Sequence, residues 1–217
     1  MAVSDTDIVN LALSHLGDKA GVSSIAPTDG TMQSQYAALF YAQGRDYLLE
    51  RFPWKFATRR ESPALRSDLS FSAWPYVYNE PNNVLRVLAA LPEGYTSDQQ
   101  GVEFDTESDS SGQALIMSKV PLDVVRSIYR ITDPGRFSPG FVEAFSWFLA
   151  SVLAGPIVKG ETGRAESVRC LQAAQVAFAG ATGLSASQSK LTLSFTPSFI
   201  QARGQTGDIT GDAEISR

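Results

Sequence analysis

Residues 51–60, RFPWKFATRR, place a proline, a tryptophan and two phenylalanines within five positions and then close on two arginines. Such a stretch is either an aromatic platform for a ligand or the end of a helix pinned into a core. The residues before it favour the second reading. From Thr31 onward Met32, Tyr36, Leu39, Phe40, Tyr47 and Leu48 recur at helical spacing, with Gln35, Gln43, Arg45 and Glu50 between them. Proline disfavours helical backbone in the residue before it, so this helix is predicted to stop just ahead of Pro53. Trp54 and Phe56, two apart in an extended turn, then point to one side and plug the helical core, leaving Arg59 and Arg60 in water.

Working outward, a first helix is predicted over residues 5–16. Ser4 and Asp7 form a capping box, Ile8, Leu11, Ala12 and Leu16 give the period, and Gly17 stops it. A third opens at Ser138–Pro139 and carries Phe141, Phe145, Phe148, Leu149, Val152 and Leu153 as a broad apolar surface. Residues 139–158 have the length of a membrane span, but Glu143, Ser146, Ser151 and Pro156 interrupt them, so a buried core helix is expected and no membrane. After a loop, GPIVKGETG, a fourth helix is predicted over about 164–179, with Val168, Leu171, Ala174 and Phe178 on its inward side and Gly180 and Gly183 ending it. Its many alanines imply close helix approach, within the subunit or between copies.

Residues 61–135 differ in character. Prolines punctuate short runs (YVY, VLRVLAAL, VEF, ALIM, VVRSIYRI) suited to pleated surfaces, so a small, mostly antiparallel β region is expected. It holds five basic residues against eleven acids, a balance of −6, and the rest of the chain sums to +1. Asp105, Glu107 and Asp109 sit in an expected acidic hairpin loop. The fold class is thus α+β: a four-helix bundle from residues 1–60 and 136–183, a β insertion at 61–135, and a polar C-terminal arm at 184–217.

The chemistry available is narrow. A net charge of −5 over 217 residues has the wrong sign for holding nucleic acid by phosphate neutralisation. One cysteine, Cys170, and one histidine, His15, cannot assemble a zinc site or a disulfide framework, and the acidic start MAVSDTDIVN is not a secretory signal. GPIVKGET has Glu161 where a phosphate-binding loop needs lysine. DTESDSSG has Ser110 where a calcium loop needs glycine and, further on, Ile116 where it needs an acid. No serine lies in G-x-S-x-G; His15 suits a helix C-terminus as imidazolium, and Cys170 a core position. No catalytic, metal or cofactor site is predicted.

Three segments in order complete the reading: R-D-x-L-L-x-x-x-P-W-x-F-A from Arg45, Y-x-Y-x-x-P-x-x-x-L-R-V from Tyr76, and D-P-x-x-F-x-P-x-F from Asp133. Spread over about residues 5–160, they resemble the tail tubular protein A family, the head-to-tail adaptors of short-tailed phages. The resemblance implies a structural virion protein without a cofactor. It would form a dodecameric ring between the portal protein and the tail nozzle protein, lining a channel that genomic DNA passes without sequence-specific binding. It also implies that the C-terminal arm reaches the portal, with Leu193, Phe195, Phe199, Ile200 and Arg203 as its contacts. The alternatives are a tail-associated enzyme degrading peptidoglycan or polysaccharide, for which no carboxylate pair stands out, and a small-molecule-binding module.

Overall fold

In the computed structural model, which describes residues 3–95 and 97–188, helix α1 (Asp5–His15) starts on a reciprocal cap. The Asp7 N–H donates to Ser4 Oγ at 3.1 Å, and the Ser4 N–H donates to the Asp7 carboxylate at 2.9 Å. Helix α2 (Met32–Arg51) is capped by Thr31 and ends at Phe52, whose backbone is already extended because Pro53 follows. Both helices match the sequence reading to within a residue.

Seven strands follow: β1 (Thr58–Glu61), β2 (Ala64–Leu65), β3 (Tyr76–Asn79), β4 (Val84–Leu91), β5 (Phe104–Ser108), β6 (Ala114–Ser118) and β7 (Val124–Tyr129). They form two antiparallel sheets, in the orders β1-β7-β4 and β2-β3-β6-β5. Each run that reads as a strand contributes to one. VEF is split: Val102 bridges to Ala90, and Phe104 opens β5. β1 was not foreseen, because TRRE lacks apolar alternation and lies inside the stretch assigned to helices. It is an edge strand held by backbone pairing to β7, from Thr58 opposite Ile128 to Glu61 opposite Val125.

Helix α3 (Pro139–Val158) has Pro139 in its first turn, and its cap, Ser138 Oγ, accepts the Phe141 N–H at 3.4 Å. The predicted connection over 155–163 shrinks to the single residue Lys159. α3 continues through Pro156, and α4 (Gly160–Ser187) begins two residues after α3 ends, with Lys159 between them at φ 61° and Gly160 at φ 64°. Pro156 lacks the N–H that would bond the Val152 carbonyl, but with only two helical residues after it the disruption is confined to the last turn. α4 also runs past Gly180 and Gly183, so residues 184–187, assigned to the arm, are helical. Interior glycines each cost about 1 kcal/mol relative to alanine, and the helix nevertheless continues with Ala181 and Ser185 buried beside them.

α3 and α4 are antiparallel: Ser167 Oγ donates to the Ser151 carbonyl at 2.7 Å, and Gly163 lies against Ala154 and Ala181 against Gly140. The main core gathers Ile8 and Leu13 of α1, Leu49 of α2, Trp54, Ile128 and Tyr129 of β7, and Phe141, Phe145 and Leu149 of α3. The three-stranded sheet therefore shares its core with the helices. The other sheet has a small cluster of its own, Val77–Leu115–Met117, on one face, while on the other Tyr78 and Ile116 pack on Val125 of β7 and join the two sheets. The described residues up to Ala186 form one compact unit. The arm contacts Leu193, Phe195, Phe199, Ile200 and Arg203 lie outside the described residues.

Candidate functional site

The aromatic run after α2 is built inward. Trp54 is fully buried and its Nε1–H donates to the Leu48 carbonyl at 3.0 Å, which satisfies its one polar atom. The Ala57 and Thr58 N–H groups return to the Trp54 carbonyl at 3.0 and 2.9 Å, so the turn is tight rather than extended. Trp54 meets Phe141 and Phe178 edge-on at 5.1 and 5.6 Å, and Phe56 lies 5.9 Å from Trp54 and 5.4 Å from Phe141. Pro53, Trp54 and Phe56 thus close the helical core and present no platform. Arg59 is exposed over the Tyr129 ring at 5.0 Å, and Arg60 donates to Asp98 at 2.9 Å.

His15 does not act as an imidazolium cap. Its ring stacks on Trp147 at 3.5 Å, its Nε2 lies 3.1 Å from Ser146 Oγ, and burial pushes its pKa down, with Glu143 pulling up and Arg169 down. The cation at the α1 C-terminus is Arg169, whose Nη2–H donates to the His15 carbonyl at 2.9 Å. Burial likewise pushes the Cys170 thiol up, against thiolate formation.

The expected acidic loop is mostly a strand. Asp105 and Glu107 lie on β5, exposed and without an ion pair among the described residues; β5 is the outer strand of its sheet. Asp109 alone is in the turn and is occupied: its Oδ1 accepts from the Ser111 N–H at 2.8 Å and the Gln113 N–H at 3.0 Å, and its Oδ2 faces Arg66 at 3.5 Å. The reading missed this because alternation places Phe104 and Thr106 on one face of β5 and the two acids on the other, a period-2 signal hidden among polar residues.

The predicted inward side of α4 holds in part: Ala174 is buried and Phe178 packs on Trp54, but Val168 and Leu171 do not turn inward. Val168 and Leu171 are 57% and 41% exposed, whereas Gly163, Cys170, Ala174, Ala181 and Ser185 are buried. Distance forces the choice. A Cβ on Gly163 would lie 2.9 Å from the Ala154 carbonyl oxygen, and one on Gly140 2.9 Å from Ala181 Cβ. A branched side chain does not fit at that separation.

The splay of α2 from α4 leaves a groove of about 690 Å³ over α3, lined chiefly by Phe40, Gly44, Tyr47, Phe148, Val152 and Leu171. No charged side chain lines it, and the hydroxyls of Ser151 and Ser167 are both spent on backbone carbonyls, at 2.6 and 2.7 Å. Composition suggested an apolar α3 but gave no sign of this groove. A second cleft of about 700 Å³ in the β region is lined by Pro92, Glu93, Tyr95, Val120, Pro121 and Asp123. Among the described residues no three His, Cys, Asp or Glu side chains are grouped so as to hold a metal ion. No family model matches the chain, and no curated protein matches it.

Proposed function

We propose that this chain is a head-to-tail adaptor of a short-tailed phage: one of many copies, twelve in the family it resembles, that close into a ring between portal protein and tail nozzle. The observation that carries the reading is the ordered set of three segments at Arg45, Tyr76 and Asp133. In the fold they act on one another. Trp54 and Phe56 of the first pack on Phe141 of the third, at 5.1 and 5.4 Å, and Asp46 of the first accepts from Arg130 Nε at 2.7 Å. The Arg130 N–H in turn donates to the carbonyl of Asn83, inside the second, at 2.7 Å. Changing one segment alone would strand its partners, so their joint presence argues for the family's fold.

In this reading the helices form a four-helix bundle and the residues after α4 an arm that docks on the portal through Leu193, Phe195, Phe199, Ile200 and Arg203. The chain works by burying surface, not by catalysis. It belongs to the virion tail at the portal vertex, after assembly in the host cytoplasm. The excess of acid on the outer strand suits a channel wall, because DNA must slide past without being held. Negative-stain microscopy and mass photometry of the chain, alone and with portal rings of the same phage, test this: rings stacked on portal are expected, and a chain that stays monomeric beside portal overturns it. Replacing Asp105 and Glu107 with lysine in assembled particles should slow DNA ejection if those acids face the channel; unchanged kinetics would place them elsewhere.

A further inference from the structure

α3 is apolar nearly all round: its best 18-residue window has mean hydropathy 1.7, yet only 50% of that window is buried. A helix with no polar face is normally covered on every side. α1 and α2 cover two sides of α3 and small residues of α4 a third; what stays open is the α2–α4 groove, floored by Phe148 and Val152 and by Gly155, where a Cβ would meet nothing within 4 Å. The groove is apolar and uncharged, so a charged occupant would lose its hydration for no partner.

The chain itself carries a surface that fits. From Leu171 to Gln188 it has no charged residue, although α4 faces solvent there and Val176 is 75% exposed. Gly180 and Gly183 stand on the same outward side in helical conformation, each with nothing within 4 Å of where a Cβ would be. Within the subunit they weaken the helix and admit nothing; against another helix they permit close approach. We infer that the outward face of α4, around Val176, Gly180 and Gly183, packs into the α2–α3–α4 groove of a second copy of this chain. Leu171, on the groove wall, and Val176 lie about 140° apart around α4. The two patches are therefore distinct, and the contact is heterologous, the kind that propagates into a ring. It rests on the ring reading above for closure, though not for the contact itself.

Sedimentation velocity on the full chain and two surface variants tests it. Wild type should form species above its 23.4 kDa monomer as concentration rises. V176E, which spoils the ridge, and L171E, which spoils the groove, should each sediment as monomers with unchanged circular dichroism. Mixed in equal amounts they should give dimers and nothing larger, since one intact ridge meets one intact groove. Assembly of V176E like wild type would overturn this contact and leave the ring reading standing. A mixture that stays monomeric, or wild type monomeric at every concentration, also overturns it, while stacking on portal rings decides the ring reading separately. Flotation of wild type with phosphatidylcholine vesicles, lost in L171E, would give the groove to a membrane and sink the proposal.

Discussion

Helices α3 and α4 are neighbours in chain and in space, yet they bury opposite kinds of residue. α3 turns Phe141, Phe145, Leu149 and Leu153 inward, while α4 turns Gly163, Cys170, Ala174 and Ala181 inward and leaves Val168, Leu171 and Val176 outside. The first arrangement gains stability from apolar area and tight ring packing. The second gains it from close backbone approach, and its larger side chains remain available for something beyond the subunit. One helix builds the fold; the other supplies surface.

That contrast can be broken most decisively at the aromatic closure. Trp54→Ala removes the ring that Phe141 and Phe178 meet edge-on and should cost about 3–5 kcal/mol, read as a lower urea midpoint by circular dichroism. A loss under about 1 kcal/mol would mean that α2 and α3 do not depend on this closure.

Next in size is the helix contact. Gly140→Ala sets a methyl 2.9 Å from Ala181 Cβ and 3.3 Å from its Cα, so backbone must move, at about 1–3 kcal/mol. Adding Ala181→Gly should return part of that loss. Additive losses would show that the two helices are not in close approach there.

A pH scan probes the α1 side of α3. Burial holds the folded His15 imidazole below its ordinary 6.5, so as pH falls the unfolded chain takes up the proton first. Stability should be whole above about pH 6.5 and decline below it toward the folded-state pKa, and His15→Gln should remove this component of the decline. Identical pH profiles of melting temperature for the two proteins would mean that the imidazole is as free to protonate as in the unfolded chain.

The smallest effect has the opposite sign. Gly183→Ala meets empty space in an isolated subunit and should raise stability by about 0.5–1 kcal/mol, measured on the monomeric V176E background. A destabilising result would reveal an intramolecular neighbour at that position and undo the contrast between the helices.

Much of the fold was legible in the residues. The Ser4 and Ser138 caps and the stop before Pro53 are governed by contacts a few residues apart, and the apolar runs of β3, β4, β6 and β7 announce themselves by their composition. Less of the candidate site was. Trp54 and Phe56 could be assigned to core closure, because a proline-stopped helix followed by large rings has few other places to put them. The strand at Thr58–Glu61 escaped notice, since the ladder that extends it is the backbone of β7, more than sixty residues away. Asp105 and Glu107 looked like loop residues because their partner strand, not their own composition, extends them.

α4 marks the boundary between the two kinds of information. Its helicity follows from alanine content and period, which are local. Which residues it buries does not: helical periodicity groups Val168 and Leu171 with Ala174 and Phe178, and the short distance to α3, at Gly140 and Ala154, selects small residues along the contact and leaves Val168 and Leu171 outside. Backbone preference is written residue by residue, whereas steric exclusion needs both helices in place.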